Sequence, residues 1–591
     1  MSDVCAGRSA SSLSAAPPHS LARVRKYLGL NAVALFIVLV ALLPAIDNGS
    51  FANPDEGLYS AQADALASGS WQRARPALDA DPNGRWSALS SETRTAAREI
   101  PYSRRPMYPL LLTPFWQVGG VAGGMLLSAA GTCVAALCSG LIARRLGPRL
   151  GAPVLWLVGL GSPLLYDAYL LVAHSLAAAF SAGLALATLN AISQLEGQCH
   201  TNSRFWMWTV LSCTAAVPLV AIRTEGVLVS LAISAAVVLC LIDWRKPFSR
   251  QVLPYISFSG LLAATALATY ALNDRWARAV TVGGGGDVTA FDRKINPVNA
   301  LWSSVLRPWH PDNRFASATM LLVVVGSVTA PLLLRWVPGL RLFALASLVL
   351  AAGASAVRMV EYPPSLISGF FATMPWLVIG LLSIDRAALD SLSARVLLSA
   401  SLLTFVAVLF TTYGDGGVTE WGGRFFHVTI PLLAPIGALG LLGLLSRLSR
   451  MEKFVVISSI LAMTISLSVA ALRENSETRQ LTSTVREFIV DTAQATHTNL
   501  VVFSQVTGGG APRMFWTIGS RPEVVATRGI WTLPELLDRL PNDRNRVLVL
   551  TDAPPTALAT IVGKTSTDSW TIVAGRDGPG NLINAYVLER K

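Results

Sequence analysis

About thirteen blocks of roughly 20 apolar residues recur along the chain, and that recurrence restricts its fold more than any other feature. A helix rises about 1.5 Å per residue, so a block of this length is what crosses a bilayer's hydrocarbon. The blocks lie near 27–46, 119–143, 150–166, 174–193, 205–222, 226–242, 252–272, 316–334, 342–358, 365–384, 396–413, 427–446 and 454–472. Composition agrees: 14% of the 591 residues are charged and 52% hydrophobic, whereas a soluble domain carries about a quarter of its residues charged. A soluble enzyme, a coiled coil and a disordered scaffold are excluded. The expectation is an α-helical polytopic membrane protein.

Charge orients the bundle. The net charge is +12, and Lys and Arg collect in alternate short loops: Arg144/Arg145/Arg149, Arg245/Lys246/Arg250, Arg335/Arg341, Arg386/Arg395 and Arg447/Arg450/Lys453. The intervening short loops carry about one arginine each, Arg223, Arg358 and Arg424, as the positive-inside rule requires. This bias accounts for the positive charge without nucleic acid. Residues 1–26 are Ser/Ala/Pro-rich, read as a disordered cytoplasmic terminus, and the first block has no small-residue cleavage site. The membrane domain is 27–472, and an odd number of spans leaves the C-terminus outside. Three hydrophilic stretches then face outward: loops 47–106 and 273–315, and a terminal domain, 473–591. The Pro-marked stretch 107–118 reads as a re-entrant or interfacial helix. None of the six cysteines falls in an outer segment, so no disulfide framework is expected.

The last segment changes character. Helix 483–497, strand 499–504, helix 532–540, strand 546–551, helix 554–563 and strands near 570–574 and 582–588 alternate. That pattern implies a small α/β domain. It has no phosphate-binding glycine fingerprint; Gly508-Gly509-Gly510 reads as a turn, and the domain as a docking or scaffolding unit.

The polar residues that bear chemistry gather on the outer side. Asn53-Pro54-Asp55-Glu56-Gly57-Leu58-Tyr59 follows the first span. Pro54 opens a helix, and acids in a first turn suit the dipole, so a capping pair is the bland reading. Adjacent carboxylates at the mouth of an apolar bundle otherwise need water, a partner or a cation. Arg104-Arg105-Pro106 closes the same loop, where guanidinium groups either hold a phosphate or anchor the interface. Ser162-Pro163-Leu164-Leu165-Tyr166-Asp167 places an acid among apolar neighbours, followed by His174, which also reads as a packed interhelical histidine. Arg223-Thr224-Glu225 is a short turn that suits a local ion pair, and Glu361 with Arg358 borders another. Glu420-Trp421-Gly422-Gly423-Arg424-Phe425-Phe426-His427 combines glycines that allow close backbone approach with an arginine suited to a lipid phosphate.

This constellation resembles the GT-C glycosyltransferases, nearest the branch of the dolichyl-phosphate-mannose–protein mannosyltransferases and the lipid A aminoarabinose transferase. Four stretches carry the likeness: Pro54-Asp55-Glu56-Gly57-Leu58-Tyr59, residues 105–112, Ser162–Asp167 with His174, and Trp421-Gly422-Gly423-Arg424-Phe425-Phe426. The likeness spans about residues 27–472, although Gly57-Leu58-Tyr59 replaces the Arg-Tyr step that often follows the family's acid pair. The resemblance implies a bacterial inner-membrane enzyme that transfers a hexosyl or pentosyl group from a polyprenyl-phosphate donor to a glycan, lipid or protein acceptor. It implies Asp55 as general base, Glu56 as an orienting or arginine-pairing acid, and Asp167 as a holder of the acceptor or of a divalent cation. Arg104, Arg105, Arg223 and Arg424 become donor-phosphate candidates. Tyr59, Tyr166, His174, Glu225, Glu361, Glu420, Trp421 and His427 become substrate-binding candidates. No His/Asp/Glu spacing carries a metal signature, so metal dependence stays open. A lipid-linked glycan flippase or an O-antigen ligase or polymerase is the alternative; the first lacks support from any inverted repeat, the second from the acidic motif after span one.

Overall fold

The computed structural model describes residues 18–74, 86–89, 98–102, 105–195, 203–241, 252–280, 296–307, 314–361, 366–411, 421–504, 511–518, 523–527, 529–565, 570–579 and 583–591. The membrane part comprises α1 (Pro18–Ile46), α2 (Pro54–Ala67), the β1/β2 hairpin (Arg73–Ala74 with Arg98–Glu99), α3 (Met107–Leu146), α4 (Gly151–Leu160), α5 (Leu164–Asp167), α6 (His174–Leu195), α7 (Ser203–Ile222) and α8 (Glu225–Leu241). It continues through α9 (Leu253–Val280), α10 (Pro297–Ala300), α11 (Arg314–Trp336), α12 (Arg341–Val360), α13 (Pro375–Leu382), α14 (Leu392–Leu409), α15 (Ile430–Ser446) and α16 (Arg450–Ala495). Among the described residues ten helices are long and apolar enough to cross a membrane, and α4 and α8 are shorter apolar ones. Ile37, Val118, Trp336, Leu342 and Phe454 stand exposed on the bundle's outside, the surface a lipid solvent calls for. The chain is a multi-pass membrane protein.

Several boundaries differ from the hydropathy reading, each for a local reason. Residues 18–26 continue α1 as helix, because no glycine or proline interrupts the chain between His19 and Leu28; residues 1–17 lie outside the described chain. Gly120 takes φ +54° and breaks α3, so the separate helix expected at 107–118 is the limb before that kink. The expected span 365–384 is helical only from Pro375 to Leu382. Its first part is irregular, and the Phe370 and Phe371 amides donate to the carbonyls of Ser304 and Val305 at 2.8 and 3.1 Å. Non-helical backbone survives at membrane depth where protein satisfies it in this way.

The largest difference is α16. The charged run 473–480 read as the end of the last span, yet one 46-residue helix runs through it. Nothing between Arg450 and Ala495 is Gly or Pro, and Ser449 with Glu452 forms a capping box at its start. Glu452 pairs with Arg341 at one end, and Arg479 is buried toward the other. At 1.5 Å per residue these are about 40 Å apart, the thickness of a bilayer with its headgroups.

Beyond α16 lies the α/β domain: β3 (Leu500–Ser504), β4 (Glu523–Thr527), α17 (Leu533–Asp538), β5 (Arg546–Thr551), α18 (Pro555–Val562), β6 (Trp570–Asp577) and β7 (Asn584–Arg590). The sheet order is β4-β3-β5-β7-β6, with β3 parallel to β4 and β5, and β7 antiparallel to β5 and β6. Strand β4 and the 3-10 segment Ala511–Ile518 were not anticipated. The triple glycine 508–510 lies outside the described residues.

Candidate functional site

Helix α2 begins with Asn53 as its cap, whose side chain accepts from the Asp55 amide at 2.8 Å. Pro54 fixes the first helical position, so Asp55 and Glu56 leave the first turn in different directions. Glu56 points inward and is fully buried. Its carboxylate accepts from the amides of Ala52 (2.6 Å), Asn53 (2.9 Å) and Leu171 (2.8 Å). It is paired with Arg479 at 2.7 Å. Arg479 also donates to the carbonyls of Ser50 and Tyr169 and to Asn475 Oδ1. A buried charge pair is tolerated when its other lone pairs and hydrogens are also satisfied, and here they are. In this arrangement Glu56 is enclosed away from any substrate.

Asp55 points the other way. Its side chain is 36% exposed, and Arg424 Nη1 lies 3.2 Å from its Oδ2. Arg424 reaches this point because Gly422 and Gly423 have φ of +71° and +67°. A Cβ on Gly422 would meet Pro163 at 2.3 Å, and one on Gly423 the Ser304 carbonyl at 2.2 Å. The turn is therefore pressed against two other segments, and glycine alone fits. It also aims Arg424 across the Phe425 ring at 4.9 Å, while Arg223 lies over the same ring at 5.8 Å. Two guanidinium groups thus share one aromatic plate beside Asp55.

Arg223 binds Glu225 through two contacts of 3.1 and 2.9 Å, and its Nη1 lies 2.8 Å from a His174 ring nitrogen. Arg105 donates to Thr224, which brings a third guanidinium to the group. Behind it sits a buried pair: His427 Nδ1 lies 2.6 Å from Asp167 Oδ2, and Nε2 lies 3.1 Å from the carbonyls of both Trp421 and Gly422. Carbonyl oxygens accept only, so Nε2 carries a hydrogen and one more proton is shared across the Asp167 contact. The rings of His174 and His427 are 5.6 Å apart.

Asp167, His174 and His427 also form a group whose ligand atoms all lie within 4.8 Å of one another. Among the described residues, Asp167 Oδ1 is buried without a hydrogen-bond partner. One carboxylate with two imidazoles suits a divalent transition metal, but Arg223 beside His174 opposes a cation, and His427 is already hydrogen-bonded at both nitrogens.

The other expected residues are distributed as follows. Tyr166 is buried and stacked on Trp421 at 6.1 Å. Tyr59 is packed between Tyr102 and Tyr108 at 4.7 Å each; burial, reinforced by Tyr102, pushes its phenol well above its usual value, so it stays protonated. Glu361 is paired with Arg358 at the end of α12, which packs on α16. Arg104 and Glu420 lie outside the described residues. Arg479 was not singled out from sequence, although it faces Glu56 across 423 positions.

No protein-family profile matches the sequence, and no curated protein matches it. The crystal structure of ArnT from Cupriavidus metallidurans bound to undecaprenyl phosphate superposes with a TM-score of 0.51 at 12% identity, covering 94% of this chain and 97% of that one. The chain has the GT-C fold. The apo state of ArnT gives 0.48 over the same shares at 12% identity. The apo oligosaccharyltransferase of Archaeoglobus fulgidus gives 0.46 at 12% identity over 88% of this chain and 69% of that one. Within this fold, the partly open residues Asp55, Arg424, Arg223 and Arg105 form one cluster, with the enclosed Asp167–His427 pair beside it.

Proposed function

We propose that this chain is a glycosyltransferase of the bacterial inner membrane. It takes a sugar from a polyprenyl-phosphate donor and gives it to an acceptor on the extracytoplasmic face, with its N-terminus in the cytoplasm and its α/β domain outside. The observation that carries this reading is the Asp55–Arg424 contact: a half-exposed carboxylate and a guanidinium 3.2 Å apart at the rim of an apolar bundle. The reaction needs both groups side by side. The acceptor hydroxyl gives its proton to Asp55 as its oxygen attacks the anomeric carbon. The bond from that carbon to the phosphate oxygen breaks, and the polyprenyl phosphate leaves with the electron pair. A guanidinium has five donors in a fork, so one such group can contact a carboxylate and a phosphate together. Arg424, with Arg223 and Arg105, meets the charge that grows on the leaving phosphate. Direct displacement inverts the anomeric centre. The undecaprenyl phosphate held by the similar ArnT structure supports a carrier of this class.

The test uses the full-length protein in lipid vesicles with a polyprenyl-phosphate-linked sugar, together with mass spectrometry of cell-envelope glycans and lipids with and without the protein. The reading expects one missing sugar on one acceptor in cells, and release of polyprenyl phosphate in vesicles. An unchanged envelope profile and no carrier release would overturn it.

A further inference from the structure

The first outer loop and the C-terminal domain are interlocked at three places. Trp86, from the loop, is 1% exposed and packs in the domain's own core with Leu500, Val502, Val525 and Leu536. Its carbonyl accepts from the Ala526 amide at 2.9 Å, and Ser87 bridges Val525 antiparallel. The loop thus covers the edge strand β4. Second, the segment Ala511–Ile518 lies on α2. Trp516 Nε1 donates to Ser60 at 3.2 Å, and the place a Cβ on Gly57 would take is 2.0 Å from the Arg513 carbonyl. Third, Arg479 sits on α16, the unbroken helix that enters the domain, and grips Glu56.

The third contact bears on chemistry because Glu56 is the immediate neighbour of Asp55. Arg479 and Glu56 together bind the backbone at Ser50, Ala52, Asn53, Tyr169 and Leu171. They tie the lead-in to α2, the turn after α5 and helix α16 into one knot. We propose that Arg479 is a positioning residue: through Glu56 it fixes the first turn of α2, and hence the direction of Asp55. The C-terminal domain is then a working part of the active site, clamping the loop that carries the base. The catalytic side of this proposal rests on the transferase reading above; the positional side does not.

The experiment separates the two. Removing one partner of a buried pair strands a charge, whereas neutralising both does not. The full-length protein is therefore compared with Arg479→Met, Arg479→Lys and the double variant Glu56→Gln/Arg479→Met. Readouts are thermal midpoint, hydrogen exchange of the amides of 52, 53, 55–57 and 171, and sugar transfer. If the pair positions Asp55, the double variant keeps the parent's midpoint better than Arg479→Met, yet its amides exchange about tenfold faster. Its kcat falls about 10- to 100-fold with donor KM little changed, and Arg479→Lys recovers part of kcat. A double variant with parental exchange and parental kcat overturns the proposal, and so does Arg479→Lys if it folds normally but leaves exchange and kcat no better than Arg479→Met. Should the parent transfer no sugar while the exchange result holds, the transferase reading fails and the positional one stands.

Discussion

Replacing Arg424 by alanine separates a structural contact from a catalytic one, because the two predict different magnitudes. The pair with Asp55 spans 3.2 Å between side chains that are 17% and 36% exposed, and a pair this accessible to water contributes about 0–1 kcal/mol. Stacking on Phe425 at 4.9 Å adds about 0.5–1 kcal/mol. Loss of these two contacts lowers the thermal midpoint by about 1–8 °C, at about 2–4 °C per kcal/mol for a large domain. A hydrogen bond from a guanidinium to a phosphate in the transition state contributes about 1.5–3 kcal/mol. Its removal cuts kcat/KM for the donor about 10- to 150-fold. The assay is a donor titration of Arg424→Ala against the parent in vesicles, with thermal scans of both proteins. Arg424→Lys keeps the charge but not the fork and falls in between. If kcat/KM for Arg424→Ala stays within about threefold of the parent, Arg424 does not hold the donor and the argument from its geometry is refuted.

Trp86→Ala removes a fully buried indole from the core of the C-terminal domain. It costs about 3–5 kcal/mol, lowering that domain's midpoint by roughly 10 °C or more in a proteolysis-monitored thermal scan; an unchanged midpoint would mean the loop is not anchored there. Asp167→Asn still offers His427 a partner, its amide N–H donating to Nδ1 of the neutral ring, and lowers stability by about 1–2 kcal/mol. Asp167→Leu strands His427 Nδ1 and costs about 3 kcal/mol or more. Equal midpoints for the two variants in detergent would contradict the hydrogen-bonded pair.

Much of the bundle was legible because its physics is one-dimensional. Apolar length and arginine placement are local, and α1, α6, α7, α11, α12 and α15 fall where hydropathy put them. Asp55, Arg424, Asp167 and His427 stood out as polar groups in apolar surroundings, and the structure brings Asp55 to Arg424 and Asp167 to His427. Which carboxylate of the 55/56 pair faces outward could not be read locally, since it depends on Arg479, 423 positions away. Arg479 was hidden in a charged run that looked solvated. A signal was present nonetheless: Leu467, Ala471, Asn475, Arg479 and Thr482 keep a helical three-to-four spacing and are all buried. The expected span 365–384 failed for the opposite reason. Its hydropathy is high, but Gly369 and Pro375 interrupt a helix whose composition alone suggests one.

The most direct test is single-turnover sugar transfer by Asp55→Asn with the donor saturating and the protein embedded in vesicles. Loss of a general base lowers the rate about 100- to 10,000-fold, and the account predicts that drop with thermal midpoint and donor binding close to the parent's. Transfer at the parental rate by a folded Asp55→Asn protein would contradict it.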